Sequence, residues 1–477
     1  MKQLVWLRSD LRTLDNTALD AALREGPTLA VWLVSPAQWR AHDDAACKVD
    51  FWLRSLASLR EALDALNVPL LVRHCPDWSG APDLLAALCR EHDVATVHLN
   101  DEYGVHESRR DAAVGQALAA AGVRLRRHLD QLLFAPGTVL TQAGGYFQVF
   151  SQFRKRCLAL WQQSIPACRP APRPQAPLGI SSDPLPDAVD GFAPPPASLR
   201  GHWPAGEREA LRRLDAFVDA HLLDYQAARD FPAQPGTSQL SPYLAAGAIS
   251  PRQCLHAALA LGGGEPDGRY AGVTTWINEL LWREFYKHLL HAYPRLSMGR
   301  PFRRETAALP WRDAPDELRA WQEGRTGFPL IDAAMHCLAA TGWMHNRLRM
   351  VVAMFLTKNL LIDWREGERW FMRQLIDGDL AANNGGWQWS ASTGTDAAPY
   401  FRLFNPVSQS EKFDPEGRFI RHWLPELAHL PAREIHLPRA GRGDLFGGAG
   451  YPPPMVDLAM SRERALGAFR DLPGSAS

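Results

Sequence analysis

The stretch KQLVWLRSDLRTLDNTALDAALREGPTLAVWLV, residues 2–34, decides the fold of the first part of the chain. Its two ends, 2–8 and 28–34, are apolar runs of strand length. Between them, 17–25 carries apolar residues at helical spacing, with Asn16 placed to cap its start and Gly26 just beyond its end. Strand, helix and strand at this spacing make a βαβ unit with parallel strands. Reading outward, further strands are expected at 68–75, 94–99 and 123–128, with helices at 49–66, 81–92 and 105–121. The alternation predicts a doubly wound parallel-sheet domain over 1–130. No GxGxxG follows the first strand and no Walker loop occurs, so ordinary dinucleotide binding is not expected there.

A linker is expected over 131–204, because 166–204 alone holds eleven of the 37 prolines, a composition that should neither build helix nor pair strands. Beyond it the periodicity turns helical at 207–221, 251–261, 273–291, 315–323, 329–340, 343–361 and 365–376. The second domain, 205–477, is therefore expected to be all-α, and ten of the seventeen tryptophans lie between Trp276 and Trp423. A chain of 477 residues exceeds what one core usually serves, in keeping with two domains.

Composition bounds the function. A hydrophobic fraction of 46% and a charged fraction of 22% are those of a soluble globular protein, and no apolar run reaches membrane-spanning length. The N-terminus breaks its apolar stretch with Arg8 and Asp10, so no signal peptide or anchor is expected. Seven cysteines lack CxxC spacing, which predicts neither a metal site nor a disulfide framework and a cytoplasmic protein. Formal net charge is zero, but residues 1–150 hold 15 basic against 18 acidic residues and the rest 37 against 34. A local basic patch, which sets phosphate affinity, is compatible with that balance.

Four segments carry the chemistry. In DGDLAANNGGWQWSASTGTDAAPYFRLFNP, 377–406, two acids stand two apart, an Asn-Asn-Gly-Gly turn follows, and almost no aliphatic periodicity remains; such a segment suits the lining of a ligand cavity. In TTWINELLWREFYKHLL, 274–290, Trp276, Glu279 and Arg283 share a helix face with Trp282 close by, as if the face looked into a polar cavity. TGWMHNRLRM, 341–350, puts Asn346 and Met350 on one face and sends Arg347 and Arg349 to different partners. A catalytic His345 would want a carboxylate and a nucleophile, and no Ser or Cys motif offers one, so a hydrolase is disfavoured. Asp377 and Asp379 lack the further ligands of a metal site and fit better as acceptors for a heterocycle edge or partners of Arg349. The loop around Thr237, Ser238 and Ser241 has small hydroxyls at a helix start, suited to a phosphate.

Taken together, TSQLSPYL, WINELLWREFY, TGWMHNRLRM, LLIDWREGERWF and the 377–406 segment resemble the photolyase/cryptochrome family, specifically its class I cyclobutane pyrimidine dimer photolyases. The resemblance runs from the N-terminus to about residue 425. It implies an α/β domain linked to a helical domain that holds a non-covalent, reduced FAD. Tyr225, Thr237, Ser238, Leu240 and Ser241 would hold its phosphates and ribityl chain. Trp276, Arg283, Arg349, Asp377, Asp379 and Asn383 would surround its rings, with Asn383 facing the flavin N5. Glu279, Trp282, Asn346, Met350 and Trp389 would line the pocket for a flipped dimer, and Arg347 and Arg402 would clamp phosphates of the DNA. Trp387, Trp364 and Trp311 match the family's electron-conducting tryptophans. The implied reaction is light-driven splitting of cyclobutane pyrimidine dimers in DNA by a monomeric enzyme needing no metal and no membrane. His42 and Glu107 match antenna contacts, while His106 replaces an Asn and Met298 a Lys, so the antenna is methenyltetrahydrofolate, a deazaflavin, or absent. Gln239 stands where many members have Arg. The alternative within the family is a cryptochrome-type blue-light receptor, against which Asn383 and the complete lesion set argue.

Overall fold

The computed structural model describes residues 1–438 and 450–472. Five strands, β1 (Lys2–Leu7), β2 (Thr28–Val34), β3 (Leu70–His74), β4 (Val94–Asn100) and β5 (Arg124–His128), form one sheet in the order β3-β2-β1-β4-β5. Every neighbouring pair is parallel. The expected βαβ start is realised: the Asn16 side chain accepts from Leu19 N, and Gly26 N–H closes the helix Thr17–Glu25 on Ala22 O. The central strands carry apolar runs, such as 4–7 and 29–34, because both faces of the sheet are covered. Val5, Leu7, Ala30 and Trp32 enter one core cluster, while Leu4, Trp6, Leu29 and Val31 enter the other, the alternation a pleated strand imposes.

The proline-rich 166–204 stretch departs from expectation. It contains a helix, Ala197–His202, and a bridge between Val189 and Phe192. Its prolines gather outside the helix, with Pro196 as the N-cap, so they frame it instead of breaking it. The same stretch also covers the β3 edge: Asp183 N donates to Leu70 O at 2.9 Å, and Leu70 N to Ser182 Oγ at 3.0 Å. Covering an edge strand removes an aggregation template.

The chain divides into two compact units. The first comprises Met1–Gln226, Ser238–Ser297 and Ile376–Ala381, and so includes the sheet together with the helices Glu207–Ala220, Pro251–Gly262 and Ala271–Ala292. Within it, a buried ion cluster joins the turn after β1 to helix Pro251–Gly262. Arg252 bonds both Asp15 and Asp130 (2.9 and 2.8 Å), and Arg12 bonds Asp130 at 2.6 Å. Burial alone would raise the Asp130 pKa, but the two guanidiniums outweigh it and hold the carboxyl well below its ordinary range.

The second unit comprises Ala227–Thr237, Met298–Leu375 and Ala382–Ser477 and is helical among its described residues. Its core includes Trp321, Leu348, Val352, Phe355, Trp364, Phe371 and Trp387. The single helix expected over 343–361 starts later, at Asn346, and its last part widens into a π-helical turn, Phe355–Asn359. Gly342, left-handed at φ 67°, ends the preceding helix, and His345 caps the new one.

The turn expected at Asn383–Gly386 is instead the middle of a helix, Leu380–Ser390. Two glycines cost such a helix roughly 1 kcal/mol each. Packing offsets that: Trp387 is buried against Phe371 and Trp321, with ring centroids 5.0 and 6.0 Å away. On another side of the helix, Gln388 Nε2 donates to Asn384 Oδ1 at 2.9 Å.

Candidate active site

Helix Ala271–Ala292 carries most of the first unit's share of the expected site. It starts close beneath residues 222–223, where a Cβ on Gly272 would collide with the Leu222 carbonyl. Trp276, Glu279 and Arg283 follow at helical spacing, as expected. Trp276 is buried against Phe217 (centroids 5.2 Å), which also meets Tyr225 edge-on at 5.7 Å. Arg283 Nη1 donates to Gln131 O at 2.6 Å. Lys287, one turn further along the same face, forms a 2.6 Å ion pair with Asp379. The sequence reading passed over Lys287, although its i,i+4 spacing from Arg283 marked it. Asp377 is buried, and Asp379 is half-buried.

The opposite face of this helix is an anchor. Glu284, fully buried, accepts from Leu133 N and Phe134 N at 3.0 and 2.8 Å, while His288 bonds Phe134 O at 3.1 Å. Trp282 lies half-buried with Phe150 stacked on it.

Ser238 is half-buried, Leu240 is buried, and Ser241 opens the short helix Ser241–Ala246. Gln239 between them has a positive φ of 50°. Arg213 stands beside it, Nη1 to Oε1 at 3.4 Å, with its guanidinium over the Trp203 and Tyr243 rings. An arginine therefore does stand near this loop, supplied by helix Glu207–Ala220 and invisible to local motif reading.

In the second unit, Thr237 ends the Ala227–Thr237 segment, whose fold is tight enough that a Cβ on Gly236 would lie 2.7 Å from Ala228 O. Asp230 in that segment receives Arg347 at 2.8 Å, and the Arg347 guanidinium lies over Phe413 at 4.4 Å. Arg349 turns elsewhere and donates to Met344 O at 2.7 Å, so the two arginines do have different partners. Asn346 is exposed, with Nδ2 lying 3.9 Å from Met350 Sδ, which puts both on the expected common face. His345 Nδ1 accepts from Arg347 N at 3.1 Å, and burial lowers the imidazole to about 4.

Asn383 Nδ2 donates to Glu368 O at 2.9 Å, and Asn384 Nδ2 to the Glu368 carboxyl at 2.8 Å. Burial pushes that carboxyl up to about 7. Glu368 was not anticipated from the sequence, since a Glu on an amphipathic helix reads as solvated. Because Asn383 spends its amino group on a backbone carbonyl, its amide oxygen is defined as the acceptor end.

Trp387 and Trp389, two apart on a helix, face different ways: the first is buried and the second half-buried. Trp364 and Trp387 share one core cluster, and the partly exposed Trp311 packs against it. Arg402 is exposed, and its carbonyl receives the buried Lys358 ammonium at 2.9 Å. Burial, with the Arg402 charge adding to it, lowers Lys358 to about 7.

Of the antenna residues, His42 lies between Trp78 and His106, with centroids 4.9 and 5.4 Å away, and bonds Gln38 at 2.9 Å. Burial lowers the His42 pKa against the opposing pull of Glu107. Glu107 folds back over Gly104 at the start of its own helix. Trp78 was not anticipated. Among the described residues no three His, Cys, Asp or Glu side chains are arranged to hold a metal ion, and no helix is long and apolar enough to cross a membrane.

Two family models match: DNA photolyase over residues 3–175, and the FAD binding domain of DNA photolyase over 276–471. The deoxyribodipyrimidine photo-lyases of Salmonella typhimurium and Escherichia coli are 45% and 44% identical, over 98% of this chain and of each relative. A class III photolyase from Agrobacterium tumefaciens superposes with a TM-score of 0.87 at 36% identity, covering 98% of this chain and 97% of that one. A Synechocystis cryptochrome gives 0.85 at 30% identity, covering 98% and 99%. Kinship of this extent, with α/β and helical parts in the order expected, means that the chain belongs to the DNA photolyase family.

Proposed function

We propose that this protein is a light-dependent DNA repair enzyme that splits cyclobutane pyrimidine dimers, using a non-covalently bound reduced FAD. The observation that carries the reading is the end-to-end relationship to proteins named deoxyribodipyrimidine photo-lyase, at up to 45% identity. When bound, the reduced flavin supplies, on illumination, the electron that opens the cyclobutane ring and takes it back afterwards, so the reaction is redox-neutral overall. The residues present fit such a group. Asn383 offers an amide oxygen of defined orientation, suited to the N5–H donor of a reduced flavin. Arg283, Arg349, Lys287, Asp377 and Asp379 supply charged and hydrogen-bonding groups for the flavin edge and adenine, and Tyr225, Thr237, Ser238, Leu240 and Ser241 the surroundings of the phosphates and ribityl chain.

On the substrate side, Trp282 and Trp389 offer aromatic faces to an extruded dimer, as flipped bases require. The Glu279 carboxyl and Asn346 amide bond the pyrimidine edges, and Met350 packs beside them. Arg347, with its guanidinium held by Asp230 and Phe413, and the exposed Arg402 contact phosphates, which reconciles zero net charge with a DNA partner. Trp387, Trp364 and Trp311 carry electrons inward from the surface when oxidised flavin is photoreduced. The protein works as a cytoplasmic monomer without a metal. His42 and Glu107 belong to a site for an antenna chromophore in the first unit, with Trp78 as a further aromatic wall.

The test is light-dependent repair of a thymine-dimer oligonucleotide by prereduced protein, followed by the return of base absorbance. Repair in light and none in darkness is the expected result. No repair by protein that binds and reduces FAD would favour the cryptochrome-type receptor instead.

A further inference from the structure

Trp282 is held by a residue from outside its own helix. Phe150, the first residue of helix Phe150–Trp161, lies flat on the indole, with centroids 3.7 Å apart and planes within 9°. Phe285 meets the indole edge-on at 5.7 Å and Tyr286 lies tilted at 5.6 Å, so the ring is bounded on several sides. The contact has a register. Arg154, one turn after Phe150, donates from Nε to Asn278 Oδ1 at 2.6 Å, one turn before Trp282. Helix Phe150–Trp161 is therefore tied to helix Ala271–Ala292 by a stack at Trp282 and a hydrogen bond at Asn278. Phe153 adds a third contact, on Phe285 at 5.3 Å. Phe150 is buried, whereas Val149 before it is exposed.

We infer that Phe150 is a positioning residue for lesion recognition: it backs one face of Trp282 and thereby sets the plane in which the other face receives the dimer. The inference rests on the reading of Trp282 as a stacking platform. An indole that can rotate must be ordered on binding, which weakens stacking, whereas one already pinned by a parallel ring, one edge-on ring and one tilted ring loses little. The effect should be seen in discrimination between damaged and undamaged DNA, because backbone contacts serve both equally.

The experiment measures dark binding of a dimer-containing and an undamaged oligonucleotide by FAD-loaded protein, comparing wild type, Phe150→Leu, Phe150→Tyr and Trp282→Ala. Leucine keeps much of the buried volume and removes the parallel ring; tyrosine keeps the ring. Phe150→Leu should reduce the damaged-to-undamaged affinity ratio by about three- to tenfold, the range expected of one aromatic stack. Flavin content and affinity for undamaged DNA should not change, and Phe150→Tyr should restore the ratio. A wild-type ratio in Phe150→Leu with a reduced one in Trp282→Ala would overturn the positioning role and leave the platform standing. A wild-type ratio in Trp282→Ala would overturn the platform and the inference with it. A reduced ratio in Phe150→Leu that tyrosine does not restore would also count against the proposal, since a parallel ring would then not be the cause.

Discussion

Replacing Lys358 by Met should stabilise the protein at neutral pH and weaken its grip on DNA. Lys358 is fully buried on the π-helical turn Phe355–Asn359, and its ammonium donates to Arg402 O at 2.9 Å. Burial and the nearby Arg402 guanidinium pull it from the ordinary 10.5 to about 7. A group whose folded pKa is depressed in this way carries its full cost only well below pH 7, where both folded and unfolded chains are protonated, and begins to shed it as pH rises through 7. The cost fades as pH rises towards 10.5, where neither is. At about 1.4 kcal/mol per pH decade, the largest penalty is about 5 kcal/mol. Methionine, which has similar length and no charge, removes that penalty but also removes a charge-assisted hydrogen bond worth about 1.5–3 kcal/mol. The net gain at pH 6.5 is about 2–3 kcal/mol, or about 5 °C in the melting midpoint of a unit this size. Near pH 10 the neutral lysine still donates to Arg402 O, so the variant should there be equal or less stable. Thermal melts of both FAD-loaded proteins at pH 6.5, 8 and 10 check this. A lower midpoint for the variant at pH 6.5, or a difference that does not change with pH, would refute the reasoning. The loop carrying Arg402 loses its anchor in the variant, so dark affinity for DNA should fall while stability rises.

Four further outcomes are expected. Glu279→Ala should keep FAD and lower the repair yield by at least about twofold, the value of one hydrogen bond; an unchanged yield removes its role. Trp311→Phe should abolish photoreduction of oxidised flavin and spare repair by prereduced enzyme, and wild-type photoreduction kinetics would show the tryptophan path to be misassigned. Glu368→Gln should leave stability unchanged at pH 4.5 and raise it by about 1–2 kcal/mol at pH 8, because the folded carboxyl, pushed up to about 7, resists an ionisation that the unfolded chain undergoes freely above 4.5. Urea melts at the two pH values decide it, and equal gains at both would count against the buried-carboxyl account. Gly367→Ala should destabilise by about 1–3 kcal/mol, since the added Cβ would collide with the Trp387 ring; a melt unchanged from wild type would show that Trp387 can shift.

How far the sequence reaches can be judged at particular residues. The sheet was legible because four of its strands carry short apolar runs and the fifth, Arg124–His128, falls at the same spacing, and Asn16 and Gly26 punctuate the first crossover helix by local chemistry alone. Local periodicity also sufficed for Trp276, Glu279 and Arg283 on one helix face and for Asn346 beside Met350. The helix Leu380–Ser390 was not legible, because its two glycines and polar residues oppose helix and only the burial of Trp387 on Phe371 and Trp321 overrides them. Nor was the helix Ala197–His202, hidden among prolines that turn out to flank it.

The sequence by itself determined the five strands and their alternation with helices, the presence of α/β and helical parts, and the family, since these rest on short-range patterns and long motifs. Only the tertiary structure decided which groups are paired and which are perturbed. Lys287 with Asp379, Asn383 on the Glu368 carbonyl, Lys358 on Arg402 and Phe150 on Trp282 join residues between 15 and 132 positions apart. Pairing and burial at that separation depend on how the helices pack, and a buried charge changes its pKa only when packing has taken water away from it.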